Sequence, residues 1–148
     1  MKIDPKLHIL DQLVSKDREI VQNFADRHEV IKKCGESMKE AIREVRSRGW
    51  QTHEKVWNAC LFVNTISYDL SHKVYALVYE RDDWKRRLAA RELAVLIYEA
   101  GEDIPTVFGK NFRSSCATLG ISKALTSALD KDLKRVSNLW NENRSILK

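Results

Sequence analysis

The stretch that decides the fold is HEKVWNACLFVNTISYDLSHKVYALVYE, residues 53–80, which predicts one long helix. Its apolar residues recur every three or four positions, which is the period of an α-helix. They are Val56, Cys60, Val63, Ile66, Leu70, Val74, Leu77 and Val78. Trp57, Phe62 and Tyr75 widen this stripe, so the helix has a broad face to bury. The sequence therefore predicts that this helix lies at the centre of a bundle.

The segment before it carries the same helical period over residues 17–48. Its stripe consists of Ile20, Phe24, Ile31, Cys34, Met38, Ile42 and Val45. Asp4 and Pro5 suit the start of a separate short helix ahead of this one, because proline is favoured in a first helical turn. That short helix would carry Leu7, Leu10, Leu13 and Val14. The pattern predicts a short helix followed by a long one.

The second half of the chain predicts a third long helix, a short one and a last long one. The pair Asp82–Asp83 suits the start of the third helix, and Gly101 suits its C-terminal end. Pro105 then opens a shorter segment that Gly120 ends, and Ser122 suits the N-cap of the last helix. The apolar stripe of the last helix is Leu125, Leu129, Leu133, Val136, Trp140 and Ile146.

The composition favours long helices in one domain. The 148 residues include only five glycines and two prolines, too few for a turn-rich β fold. The hydrophobic share of 43% and the charged share of 32% are those of a globular chain. We expect an all-α fold, an antiparallel bundle of about four long helices plus one or two short ones. It forms a single domain over residues 1–148, either a whole protein or a fragment of a longer one.

The apolar runs and the cysteines bear on location. The longest apolar runs are too short to span a bilayer, and the N-terminus lacks the apolar core of a signal peptide. We expect a cytoplasmic protein without membrane contact. Cys34, Cys60 and Cys116 are widely spaced and form no C-x-x-C motif, so we expect reduced, buried thiols.

The sequence contains no motif for a metal, a nucleotide or another cofactor, and we expect none to be bound. No two histidines lie three or four positions apart, and only Asp69-x-x-His72 approaches a metal-binding pair. Glycine-rich phosphate loops and the serine nucleophile elbow are also absent from the sequence. The acidic group Glu99, Glu102 and Asp103 is interpreted as a solvated loop, with acid–base catalysis as the alternative. Lys110 or Arg113 would offset its charge.

A basic cluster near the start of the third helix is a candidate phosphate-binding or nucleic-acid-binding surface. Its members are Lys85, Arg86, Arg87 and Arg91. Arg87 and Arg91 are four residues apart and share a helix face. The alternative is a solvated first turn in which Asp83 pairs with Arg87. A net charge of +5 is compatible with nucleic acid without arguing for it.

Residues 43–57, REVRSRGWQTHEKVW, predict the corner between the first two long helices. Gly49 suits the left-handed conformation that ends a helix, and cationic Arg46 and Arg48 suit its last turn. Thr52 is suited to cap the next helix. His53 is the residue of this corner to which we assign no structural role.

Arg48-x4-His53 and Arg46-x6-His53 resemble the R-x(4–6)-H motif of HEPN domains, and the all-α plan is similar to that family. The resemblance implies either RNA cleavage without metal or a non-catalytic relative that serves as a partner module. In the ribonucleases of the family the arginine and histidine lie at a dimer interface. There His53 would activate the ribose 2′-hydroxyl, and Arg46 or Arg48 would stabilise the charged phosphorane.

Three functional hypotheses follow. The first is a non-enzymatic helical interaction module, a HEPN-like component of a toxin–antitoxin or defence system, that binds a protein partner or forms a homodimer. The second is a metal-independent endoribonuclease that uses His53 with Arg48 or Arg46. The third is a nucleic-acid-binding protein that uses the basic cluster. The first requires an exposed apolar patch, for which Trp50, Trp84 and Trp140 are the candidate anchors.

Overall fold

The structure is a computed structural model, and it describes the backbone of residues 5–145 and the side chains of residues 18–20 and 22–145. Within this part every regular element is a helix, which confirms the predicted all-α fold. The helices are α1 (Pro5–Ser47), α2 (Gln51–Tyr79), α3 (Asp83–Val107), α4 (Lys110–Thr118) and α5 (Lys123–Asn143). None of them combines the length and the apolar composition needed to cross a bilayer.

Helix α1 is one uninterrupted helix of 43 residues, so the prediction of a separate short helix at its start was wrong. The physical reason is that residues 6–34 contain neither glycine nor proline, and nothing in them interrupts the backbone hydrogen bonds. Asp4, Ile146 and the side chains of Leu7, Leu10, Leu13 and Val14 lie outside the described residues.

Helix α2 is central, as its broad apolar stripe predicted. It contacts α1, α3 and α4, whereas α5 packs on α3. Asn64 and Tyr68 of α2 contact α1, whereas Lys73 pairs with Glu92 of α3. The connections over residues 48–50 and 80–82 are short, so α1, α2 and α3 run antiparallel to their neighbours.

Helix α3 continues through both residues that were expected to interrupt it. Gly101 was predicted as its end and Pro105 as the start of a new helix, and both predictions were wrong. Gly101 instead provides space for the ring of Trp140, because a Cβ atom on it would lie 2.5 Å from that ring. Pro105 falls in the last turn of α3, where its missing N–H removes one helical hydrogen bond, to the carbonyl of Gly101, without ending the helix. The break comes at Gly109, the N-cap of α4.

Two predicted helix caps are confirmed. The Asp82 carboxylate accepts a hydrogen bond from the backbone N–H of Lys85 at 3.0 Å. The Ser122 hydroxyl accepts one from the backbone N–H of Ala124 at 3.2 Å. Both caps satisfy N–H groups that have no partner within their own helix.

The buried core is small and lies where α2, α3 and α4 meet. It consists of Ala59, Phe108, Phe112 and Cys116, with partly buried apolar residues of α2, α3 and α5 packed against it. Helix α5 contributes no buried residue of its own. Most of its apolar stripe is therefore only partly covered.

The three cysteines differ in burial, so the expectation that all are buried was wrong. Cys116 is buried and Cys60 half-buried, and burial raises the pKa of both thiols. Cys34 is exposed, because the face of α1 that packs on α2 passes through its neighbour Gly35 instead.

Candidate functional site

The corner between α1 and α2 is built around Gly49, whose φ of +69° confirms the predicted left-handed turn. The backbone N–H of Gly49 bonds the carbonyl of Arg46, and that of Trp50 bonds the carbonyl of Val45. This pair of hydrogen bonds satisfies the last carbonyls of α1. The prediction that Thr52 caps α2 was wrong, because α2 already begins at Gln51 and its N-cap, Trp50, forms no side-chain cap.

Both arginines of the R-x(4–6)-H motif are paired with carboxylates inside the chain. Arg46 bonds Glu54, with Nη2 at 2.6 Å and Nε at 2.8 Å from the same oxygen. Arg48 bonds Glu44 of its own helix, with its Nε 2.6 Å from the carboxylate. Within one protomer each positive charge is therefore offset, which leaves less of it for a phosphate.

Trp50 lies between Arg48 and His53. The guanidinium of Arg48 sits 4.9 Å from the centroid of the indole, which is a cation–π distance. The imidazole of His53 lies 5.2 Å from the same ring system. The structure thus brings Arg48, Trp50 and His53 together on one surface, while Arg46 points to Glu54.

The basic cluster of α3 spreads around the helix. Arg86 pairs with Asp83 at 3.5 Å, so the expected pairing of Asp83 with Arg87 was wrong. Lys85, Arg87 and Arg91 are exposed and form no ion pair with another described residue. Only Arg87 and Arg91 share a face, because consecutive residues of a helix point about 100° apart.

The acidic group was expected to lie in a loop. It lies instead on the last turns of α3. Glu99, Glu102 and Asp103 are all exposed. The charge of Glu102 is offset by Arg144 at 3.1 Å, not by Lys110 or Arg113. General acid–base catalysis relies on a partly buried pair of carboxyl groups, and none of these three is buried.

The outer face of α3 exposes a row of three large apolar side chains and one arginine, which we call the α3 stripe. It comprises Trp84, Leu88, Arg91 and Val95, at helical steps of four, three and four. Trp84 is 75% exposed, and Leu88 and Val95 are each about half exposed. Trp84 therefore fits the expectation of an exposed anchor.

The other two candidate anchors, Trp50 and Trp140, differ from each other in exposure. Trp50 is also exposed, at 45%. Trp140, by contrast, packs against Gly101 and lies 5.3 Å from the ring of Tyr98, so its role as an exposed anchor was wrongly predicted.

Two further helices carry exposed apolar stripes. On α2 the stripe comprises Val63, Val74 and Val78, and on α5 it comprises Leu125, Val136 and Leu139. In both helices the spacing places the three residues on one face. Val78 is 62% and Leu125 64% exposed, so neither stripe is covered by the described part of the chain.

A groove of about 1000 Å³ separates α5 from α4 and the end of α3. Its floor is apolar and includes Ile104, Phe108 and Leu133, and its rim carries Lys110, Arg113, Asp130 and Lys134. Arg113 and Asp130 form an ion pair across the groove at 2.9 Å. The sequence did not predict this groove. Its one sequence signal was Gly109, which separates α3 from α4.

An aromatic cluster joins α1 to α2 and was also missed from the sequence. The His28 ring lies 3.8 Å from Tyr68 and 5.5 Å from His72. Its Nδ1 is buried and finds no hydrogen-bond partner among the described groups. Burial, and then the nearby His72, lower the pKa of His28.

The fold and these surfaces define an all-α protein that leaves several apolar helix faces open. No three histidine, cysteine, aspartate or glutamate side chains come together as metal ligands in the described part of the chain. Comparison with models of known protein families, with curated proteins and with solved structures found no match.

Proposed function

We propose that this protein is a non-enzymatic helical interaction module that binds a protein partner or a second copy through its apolar helix faces. The observation that supports the proposal is that α2, α3 and α5 each leave a row of large apolar side chains uncovered by the described part of the chain. A stable protein interface buries roughly 800 Å² on each partner, and rows of this kind supply the apolar part of such a surface.

The types of residue that are exposed support the same proposal. Among the described side chains, fourteen large apolar residues are exposed and only eight apolar residues are buried, three of them alanines. Single exposed apolar residues are ordinary, but rows of them along a helix are typical of surfaces that pack against another helix. The α3 stripe, with its tryptophan and arginine, has the composition of an interface core.

The proposal extends to a HEPN-like component of a toxin–antitoxin or defence system. The all-α plan and the R-x(4–6)-H spacing at the α1–α2 corner support this extension. In such a component Arg46 and Arg48 stabilise the corner through Glu54 and Glu44, and the chain acts as a partner and not as the nuclease.

The experiment is light scattering of the purified chain over about a hundredfold range of concentration, because self-association by mass action depends on concentration. It is combined with 1-anilinonaphthalene-8-sulfonate fluorescence, which increases on exposed apolar surface. We expect either concentration-dependent association or strong dye binding by the folded monomer. Leu88→Lys and Val95→Lys, in the α3 stripe, should weaken the response, while Ala90→Lys, an exposed position off this stripe, should not. A folded monomer that neither associates nor binds the dye contradicts the proposal.

The second candidate function is a metal-independent endoribonuclease. One observation favours it: Arg48, Trp50 and His53 lie on one surface, where an aromatic ring, a cation and an imidazole meet. The test is RNA cleavage in EDTA by the parent and by His53→Ala. Cleavage by the parent that the substitution abolishes would favour this candidate over the interaction module.

A further inference from the structure

We propose that the groove between α4 and α5 is the docking site for an acidic amphipathic helix of a different protein. This inference rests on the proposed interaction function and names the surface and the chemistry of one partner. The groove has an apolar floor, a cationic rim and a length that suits a helix.

The floor of the groove is a continuation of the core. Phe108 is buried beneath it, and Ile104 and Leu133 line it while remaining partly exposed. Helix α5 is strongly amphipathic and yet buries no residue, so its apolar side is incompletely packed in the chain alone. A further apolar surface placed in the groove would cover these side chains, and burial of apolar area is the main favourable term in association.

The rim of the groove is positive. Lys110, Arg113 and Lys134 face a single carboxylate, Asp130, which Arg113 already neutralises. Lys110 and Lys134 form no ion pair with a described residue, so two cations remain for a partner. The first turn of α4 adds partial positive charge at the same place, because its N-cap Gly109 provides no side-chain acceptor. The rim therefore complements carboxylates.

The shape of the groove suits a helix. Its α5 wall extends from Asp130 to Asn138, about two helical turns or ~12 Å. A helix that lies along such a wall inserts side chains at positions i, i+3 or i+4 and i+7. A nucleic-acid backbone would place phosphates over the apolar floor, so the floor favours a helix with apolar anchors and acidic flanks.

A second copy of this chain is a poor occupant. The α3 stripe carries Arg91 at its centre and has one exposed carboxylate beside it, Glu99, one turn beyond Val95. Beside the α5 stripe, Asp132 is flanked by Lys131 and Arg135. Charge complementarity therefore points to a different, acidic protein.

The experiment measures binding of two synthetic helical peptides to the full chain by fluorescence anisotropy. Both peptides have about 18 residues and the same leucine face. One carries glutamates beside the leucines and the other carries lysines at the same positions. We expect the acidic peptide to bind at least about tenfold more tightly, because like charges at a rim oppose association. Equal binding of both peptides, or no saturable binding of the acidic one, overturns the proposal.

Variants locate the binding. The double reversal Lys110→Glu, Lys134→Glu should invert the preference between the peptides, and Ser137→Trp should fill the groove and weaken both. The double reversal Lys131→Glu, Arg135→Glu is the matched control, because it makes the same charge change at exposed positions of α5 outside the groove lining. Circular dichroism of each variant verifies the fold. If this control changes binding as much as the reversal of Lys110 and Lys134, the groove is not the site and the proposal fails.

The outcome is separable from that of the proposed function. If the peptides do not bind but the chain still associates through the α3 stripe, this inference fails and the interaction module stands. If neither binding nor association nor dye binding is found, both fail.

Discussion

The side-chain amide of Asn64, on α2, donates a hydrogen bond to the carbonyl oxygen of Ile31, on α1, at 3.0 Å. Gly35 lies directly beside this bond, one turn further along α1. A Cβ atom on Gly35 would lie 2.6 Å from the Asn64 Oδ1, closer than real side chains approach. The glycine and the asparagine therefore form one unit that sets how closely α1 and α2 pack.

We predict that Gly35→Ala destabilises the protein by about 1–2 kcal/mol, because Asn64 must move and its hydrogen bond to Ile31 is lost. The effect opposes helix propensity, which favours alanine by about 1 kcal/mol. Urea denaturation followed by circular dichroism measures it.

The control is the same substitution in an Asn64→Ala background. There no amide obstructs the new methyl group, so Gly35→Ala should become neutral or stabilising. The two substitutions should thus be strongly non-additive, as expected for residues in contact. Additive effects would show that the close approach does not limit the packing of the two helices.

Gly101 supplies the corresponding space for α5. A Cβ atom there would lie 2.5 Å from the ring of Trp140. We predict that Gly101→Ala displaces this ring and loosens α5 while α1 and α2 stay folded. Hydrogen exchange should therefore rise within Lys123–Asn143 and remain unchanged within Gln51–Tyr79. A uniform rise in exchange over both helices would mean that α5 does not loosen independently.

The architecture was predictable because its signals are local. The period of apolar residues over 53–80 indicated a central helix, and Asp82 and Ser122 indicated two helix starts that the structure confirms. The predictions from Gly101 and Pro105 were wrong, because whether such a residue ends a helix depends on the side chains packed around it. A glycine that would end an isolated helix continues it here, since the indole of Trp140 occupies the space beside it.

The surfaces were less predictable, since they depend on which faces the helices leave uncovered. Trp84 was named from its residue type alone, and so was Trp140, yet one is exposed and the other packed. Lys110 and Lys134 are 24 positions apart, and only the packing of α4 and α5 at the end of α3 brings them to one rim of the groove. Residue spacing within a single helix cannot predict that two such residues lie close together.

His28 is expected to make stability depend on pH. Its pKa is lowered in the folded state, chiefly by burial and then by His72. Below the ordinary pKa of 6.5, the His28 imidazole is therefore protonated more readily in the unfolded chain than in the folded one. Stability should fall as the pH drops through and below that value. Thermal unfolding between about pH 5 and pH 8 measures this dependence.

His28→Phe is the matched variant, because phenylalanine keeps the aromatic packing against Tyr68 and Phe24 without a titrating group. It should reduce the loss of stability at acidic pH. His72→Gln should reduce it by less, since the charge of His72 is the smaller cause. An unchanged pH dependence in His28→Phe would assign the effect to other groups.

The ion pair between Arg46 and Glu54 provides a test that separates the interaction module from the ribonuclease. Glu54→Gln removes the carboxylate that binds Arg46 and leaves the arginine available to a phosphate. Because Arg46 is largely exposed, we expect a loss of less than about 1 kcal/mol in stability. If the corner is structural, the variant should cleave no RNA in EDTA. The opposite result would be cleavage that appears with Glu54→Gln and disappears when His53→Ala is added. It would mean that the Glu54 carboxylate restrains a ribonuclease site. In that site Arg46 would stabilise the phosphorane and His53 would move the proton.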